Sequence, residues 1–581
     1  MSRCPQCSEP FTAAESPRFC TNCGSPLAVG AAPESARPAT AARLPDDPHC
    51  LRAIRATLFV TSPAGAQILS DLFASRRIEP AGIVQATPQQ LAQQAHAELT
   101  RLHQRRAVKY VCLFGDWTQV PAYVYTNPAD DQDETCLVDA PYGSLEPFDP
   151  EVLTNLIPQF PVGRIPLVDA ALAQRLLLGT AAGAGTRGAL SLSVTAERWM
   201  NATRQIVTQV ATNESFEVST QPGAAAAAAR TTILSSPEWV KENVRPQVAG
   251  LPETARSLLH FNVHGADTVT DWFGHSSTDA DHVPAVVGTD TALDLEDAVL
   301  VTEACYGGKL GYAGEPGMAE SFFLRGGRIF IGCSVIAYGN GGPYGSIQAA
   351  DILAQQVLSD LREGREAGAC LTRAREALER DFMESPEASL EPGPVEKTMM
   401  SFNLYGAPWD QVSPGAGRSG ASASRAGRPA ASLDDIRARL AERASSDSLI
   451  GSIRERYMRR LSERARRFVL DRQEAQQRLA TFRDRARLED ALAGYGLDPD
   501  HCTITLVEIG ARKGYTIKGQ GRSAGLSVDV VMSLDEQGRI TSEVTSKPFS
   551  PAAVSFASAI AATEAGIDTP APSSAPDVSK T

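Results

Sequence analysis

The sequence predicts an α/β protein built on a mostly parallel sheet in two related halves, with small modules at both ends. Two observations carry this. Short apolar runs alternate with helical patterns from about residue 50 to 410, which is the signature of strands linked by crossover helices. Two of those runs, FNVHGAD (261–267) and VLVTEACYGGKL (299–310), stop abruptly at a reactive side chain beside glycine. Open α/β sheets place their sites at the carboxyl ends of such strands.

The elements follow in order. Residues 1–28 hold Cys4-x2-Cys7 and, twelve residues on, Cys20-x2-Cys23. Two such knuckles supply four thiolates to one tetrahedral Zn²⁺. The segment is too short to bury a core, so metal would supply most of its folding free energy. A redox pair is the competing reading, but two pairs are present and no βαβ pattern surrounds them. Residues 29–48 are Ala/Pro-rich and read as a linker. Residues 49–411 form the α/β domain. RATLFVTS and VKYVCLFG read as strands, with a helix over QQLAQQAHAELTRLHQ between them. A second series gives ALSLSVTA, SLLHFNVHG, AVLVTEAC and GRIFIGCS as strands. WMNATRQIVTQVAT, AESFFLRG, QAADILAQQVLSDLREG and ACLTRAREALERDFMES read as helices.

Residues 412–432 are a Gly/Ser/Ala linker. Residues 433–494 predict a helical hairpin or coiled segment. Ile450, Ile453, Tyr457, Leu461, Ala465 and Phe468 recur at three- and four-residue steps, and its dense arginines are interleaved with acids. A solvated face or a partner-binding helix fits that pattern. Residues 495–550 alternate as short strands and predict a β-rich module, and 551–581 read as a disordered tail.

Composition narrows the function. A net charge of −13 argues against a nucleic-acid-binding protein. No run of 18 apolar residues exists, so no membrane span is expected. MSRCPQCSEP lacks an apolar signal core, and seven cysteines outside the knuckles (50, 112, 136, 305, 333, 370, 502) are scattered. Free buried thiols fit a reducing cytoplasm.

Cys305 is the candidate nucleophile, because a thiolate attacks amide carbonyls. The Tyr-Gly-Gly that follows lets backbone approach a substrate closely. His264 is the candidate general base, then acid toward the leaving amine. A structural cysteine and a satisfied core histidine are the plain alternatives; the Gly265 beside His264 and the downstream Cys motif weigh against them.

Glu303-Ala304-Cys305-Tyr306-Gly307, 41 residues after His264, resembles the x-Ala-Cys-x-Gly signature of the caspase-fold clan. YVCLFGDWTQVP (110–121), VDAPYG (138–143), FPVGRIP (160–166), NVHGADTVTDWFG (262–274) and NLYGAPW (403–409), in that order, resemble gingipain-type cysteine peptidases. FCTNCGSPL resembles the second knuckle of a zinc ribbon. The resemblance implies that the N–H groups of Gly265 and Cys305 form an oxyanion hole. It makes Glu197 a candidate to orient His264, with Asp267 and Glu303 as weaker ones. Glu303 should point to the sheet's other face, since strand side chains alternate.

Asp267 is also a candidate for a substrate amine. The segment CSVIAYGNGGPYG should wall the substrate pocket through Ser334 and Tyr338. RWMNATRQIVT carries no carboxylate where Arg-directed relatives have one. Arg198 and Arg204 suggest an acidic preference or are plain helix-surface charges. Asp116, Asp139 and Asp130-Asp131-x-Asp133-Glu134 could hold Ca²⁺ as hard oxygen ligands, or form a solvated acidic loop. The expected function is an intracellular cysteine endopeptidase acting through an acyl-enzyme. Structural Zn²⁺ and protein partners at the terminal modules are expected with it. Its rivals are a catalytically silent scaffold and a transpeptidase.

Overall fold

The computed structural model describes residues 2–3, 10–11, 47–178, 190–211, 216–222, 231–244, 258–279, 282–289, 297–311, 315–341, 346–385, 388–412, 465–523 and 526–546. At the N-terminus β1 (Ser2–Arg3) pairs antiparallel with β2 (Pro10–Phe11). The four knuckle cysteines lie outside the described residues.

A first series of strands comprises β3 (Thr57–Thr61), β4 (Gly82–Gln85) and β5 (Tyr110–Phe114), then a hairpin of β6 (Tyr123–Thr126) and β7 (Thr135–Val138), then β8 (Val162–Ile165). The second begins with β9 (Leu190–Ala196), β10 (Phe216–Ser219), β11 (Thr231–Ser236) and β12 (Leu258–Asn262). A hairpin of β13 (Trp272–Phe273) and β14 (Ala285–Val287) follows. The series ends with β15 (Val299–Thr302), β16 (Ile329–Cys333), β17 (Tyr338–Asn340) and β18 (Phe402–Tyr405).

Eleven of these strands form one continuous sheet in the order β10-β11-β9-β12-β15-β16-β18-β8-β5-β3-β4. The two series lie side by side in that single sheet. All neighbours are parallel except β16 and β18. That one antiparallel junction reverses direction, so the carboxyl ends of the two parallel blocks face opposite rims.

Period-two alternation explains why the sheet is covered on both faces. Leu258, Val299, Val301, Ile329 and Ile331 join one apolar cluster with Leu353, Val357 and Leu371 from the helices Ala350–Arg362 and Ala367–Glu384. Their sequence neighbours Leu259, Leu300 and Phe330 join another with Phe322 and Phe323 of the helix Met318–Leu324. Each such side chain contributes about 1.5–3 kcal/mol on burial. The helix Pro88–Gln104 buries Leu91, Ala95, Leu99 and Leu102, a 3.6-residue stripe, against β3 and β5.

The C-terminal module departs from expectation. Ala465 and Phe468, expected on a helix, lie in β19 (Ala465–Val469), which pairs antiparallel with β20 (Thr503–Ile509). Strand pairing across forty residues overrides the local helical pattern. Two helices, Arg472–Thr481 and Arg485–Gly494, follow β19. Then come β21 (Arg512–Ser523), β22 (Leu526–Asp535) and β23 (Ile540–Ser546). One apolar cluster holds Leu488 and Leu492 against Ile504, Ile517, Val530 and Met532. The helical and β-rich segments therefore share a core. Ile450, Ile453, Tyr457 and Leu461 lie outside the described residues. No helix among the described residues is long and apolar enough to cross a membrane.

Candidate active site

Strand pairing brings the segments of the two candidate residues together. In the parallel pair β12/β15, Leu258 faces Val299 and Phe261 faces Thr302, and the Glu303 N–H extends the ladder to the Phe261 carbonyl at 2.8 Å. The ladder ends there, and the chain segments that follow the two strands come together at Gly265 and Cys305. The backbones touch there: a Cβ on Gly265 would sit 2.0 Å from the Cys305 carbonyl oxygen. Glycine at 265 is thus a packing requirement.

Cys305 enters a tight turn. Tyr306 holds a left-handed φ of 55°, a strained setting for a residue with a Cβ. Its N–H bonds the Val335 carbonyl at 2.9 Å, and the Gly308 N–H bonds that of Cys333 at 2.7 Å. The Ala337 N–H donates to Cys305 Sγ at 3.3 Å. The thiol in turn lies 3.8 Å from the Ala337 carbonyl.

His264 is fixed on three sides. Its backbone exchanges hydrogen bonds with Phe273, at 2.8 and 3.0 Å. Its ring packs on Trp199 with centroids 4.4 Å apart. Nε2 lies 2.9 Å from His275 Nδ1. Burial, then the charge of Arg198, push the His275 pKa down to about 4, so His275 is neutral near pH 7. Its Nε2 is buried without a hydrogen-bond partner among the described residues. Sequence reasoning missed His275; its only signal is a second histidine eleven residues after the first.

Glu197, expected to orient His264, bonds the loop that carries His275. Its Oε2 accepts from the Ser277 N–H at 2.8 Å and the Ser276 hydroxyl at 3.4 Å. Its own turn supplies Trp199. Glu303, expected on the sheet's other face, instead lies on the face that His260 shares with its register partner Val301 and with Cys305. It bonds His260 Nε2 at 2.9 Å, and His260 Nδ1 meets Ser193 Oγ at 2.9 Å, all fully buried.

The expected pocket side chains turn inward. The Ser334 hydroxyl donates to the Leu137 carbonyl at 3.1 Å. Tyr338 is buried, and its hydroxyl donates to Asp131 at 2.6 Å. The backbone of this segment, through Ala337, is what meets the thiol. Asp267 is half-buried and accepts Lys309 Nζ through its carbonyl at 2.7 Å. Arg204 is exposed on its helix.

Among the carboxylates considered for Ca²⁺, Asp131, Asp133 and Asp139 hold protein cations. Lys397 Nζ bonds Asp131 and Asp133, each at 2.6 Å, and Asp139 pairs with Arg164 at 2.6 Å. Asp116 caps Thr118 and Gln119. Among the described residues no cluster of three or more His, Cys, Asp or Glu is arranged for a metal.

His264 and Cys305 thus follow the carboxyl ends of neighbouring parallel strands, with the Gly265 and Cys305 backbones in contact. Residues 81–410 match the model of Peptidase family C25, and the chain belongs to that family. It is accordingly a cysteine-type peptidase, a hydrolase, and the matched span contains His264 and Cys305.

Among solved structures, one titled "Structure of Protease" is 12% identical. The match covers 61% of this chain and 78% of that one, with a TM-score of 0.33. The separase–securin complex of Saccharomyces cerevisiae is 10% identical over 54% of this chain and 17% of that one, with a TM-score of 0.29. No curated protein matches.

Proposed function

We propose that the chain is an intracellular endopeptidase using a Cys305–His264 dyad. The observation that carries this is the pairing of β12 with β15, after which Gly265, next to His264, packs against the Cys305 carbonyl. With His264 Nε2–H donating to neutral His275, Nδ1 of His264 is left as the basic nitrogen. It takes the thiol proton. Sγ attacks the scissile carbonyl carbon, and the carbonyl oxygen becomes an oxyanion. The N–H groups of Gly265 and Cys305 are the proposed donors to it, and a lost donor of this kind typically costs 10²–10³ in rate. The tetrahedral adduct collapses to a thioester as the leaving amine takes the proton from His264. Water, deprotonated by His264, then releases the acid and regenerates the thiol.

The test is cleavage of a mixed peptide library by the full chain and by Cys305→Ala and His264→Ala, read by mass spectrometry. Loss of all cleavage in both variants is expected. Equal cleavage by Cys305→Ala would end the proposal.

Cys4, Cys7, Cys20 and Cys23 are proposed to hold one structural Zn²⁺, a set whose chemistry suits zinc. Elemental analysis should give one zinc per chain, and none when two of the four are changed to Ser. The zinc ribbon and the C-terminal module are proposed as the regulatory and partner-binding parts, with 29–48 and 412–432 as linkers.

A further inference from the structure

β17 leads directly away from the nucleophile. It begins one residue after Ala337, whose N–H meets Cys305 Sγ. β23 pairs with it antiparallel: Tyr338 faces Ser546, Gly339 faces Thr545 and Asn340 faces Val544. β17 thereby becomes the outer strand of the module's six-stranded sheet, in the order β17-β23-β22-β21-β20-β19. β23 runs toward Cys305 and reaches Tyr338 at Ser546.

A substrate's residues before the scissile bond must also run amino to carboxyl toward the thiol. An extended peptide using the β17 edge by strand addition would follow the same track in the same direction.

The fit is close on both sides of the site. A Cβ on Gly341 would lie 2.0 Å from Thr545 Oγ1. Val531 and Val544 of the module share an apolar cluster with Cys305, Ile336 and Ala337. On the imidazole side, Arg198 lies over the Tyr495 ring at 4.8 Å, and Arg198 sits between Glu197 and Trp199. Farther out, Arg512 donates to the carbonyls of Phe382, Ala388 and Ser389. The Leu390 N–H bonds Ser533 Oγ at 2.8 Å. Cys305 is 0% exposed and His264 3%.

We propose that β23 is a resident competitor for the substrate-binding edge of β17. The C-terminal module holds the peptidase closed by lying where an extended polypeptide must lie, and β23 has to leave before substrate enters. This rests on Cys305 being the nucleophile. Observed reactivity is then the intrinsic reactivity scaled by the open fraction.

The experiment uses the full chain with Gly341→Val, which drives a side chain into Thr545, and Arg512→Ala, which frees the module at a distance from the thiol. Labelling by tripeptidyl acyloxymethyl ketones is followed by intact mass, and amide exchange of 338–340 and 544–546 reports opening. Both variants should label on the order of tenfold faster or more, in step with exchange, and Cys305→Ala should take no label. If Gly341→Val does not fold, Arg512→Ala carries the test.

A wild type that labels at Cys305 as fast as the opened variants overturns the competitor and leaves the peptidase standing. Opening by exchange with no labelling in any variant overturns both.

Discussion

His275 meets His264 as a neutral partner, and that neutrality has a measurable pH signature. Its pKa of about 4 lies below the roughly 6.5 of an unfolded histidine. Between those values the unfolded chain binds the extra proton, so stability rises with pH across that window and is lost as pH falls through it. The full shift corresponds to about 3 kcal/mol. Denaturant midpoints for His275→Gln should show a shallower loss between pH 6.5 and 4. In the same variant kcat should fall on the order of tenfold with little change in KM, short of the roughly 10⁴ lost with an anionic partner. An unchanged kcat would remove His275 from the positioning of His264. The candidates Cys305 and His264 stood out in the sequence because each ends an apolar run, His264 next to Gly265 and Cys305 two residues before Gly307. His275 and the Ala337 N–H did not. A backbone donor has no residue code, and the His264–His275 contact exists only after the Phe273 bridge folds the segment back.

At the scale of elements, β12 and β15 depend on Gly265. Gly265→Ala places a methyl against the Cys305 carbonyl and must push the strand ends apart, costing about 1–3 kcal/mol. Peptide cleavage should fall by far more than that loss of stability explains, because the displaced N–H is also the proposed oxyanion donor. Equal, small losses in both assays would argue for packing alone. The linker between β6 and β7 makes a second case. Lys397 and its partners Asp131 and Asp133 are buried, so Lys397→Met should cost about 3–5 kcal/mol in denaturation by leaving unpaired charge inside. The sheet strands were readable from apolar runs with crossover patterns between them. β19 was not: Ala465 and Phe468 fit a helical spacing, and the partner that decides their conformation lies beyond any local window.

Across the whole molecule, docking of the module is linked to pH through Asp529. Burial, then repulsion from Asp131, raise its pKa to about 6, with Lys518 pulling the other way. The docked state therefore takes up a proton as pH falls below 6, and docking tightens. Labelling of Cys305 should slow more between pH 7 and 5 in the wild type than in Asp529→Asn. Identical pH profiles would uncouple Asp529 from closure. The antiparallel β16/β18 junction and the placement of β23 were invisible in the sequence, since both are decided by contacts between distant segments.

Lys397 also bears on how the protein meets its surroundings. Its ammonium stands where a dissolved cation would otherwise serve the acidic loop, and it is covalently part of the chain. Such a tethered counter-ion cannot be chelated or outcompeted at the concentrations of free ions in a cell. The segment that supports Tyr306 and Tyr338 through Asp133 and Asp131 thus rests on a cation that the chain itself supplies.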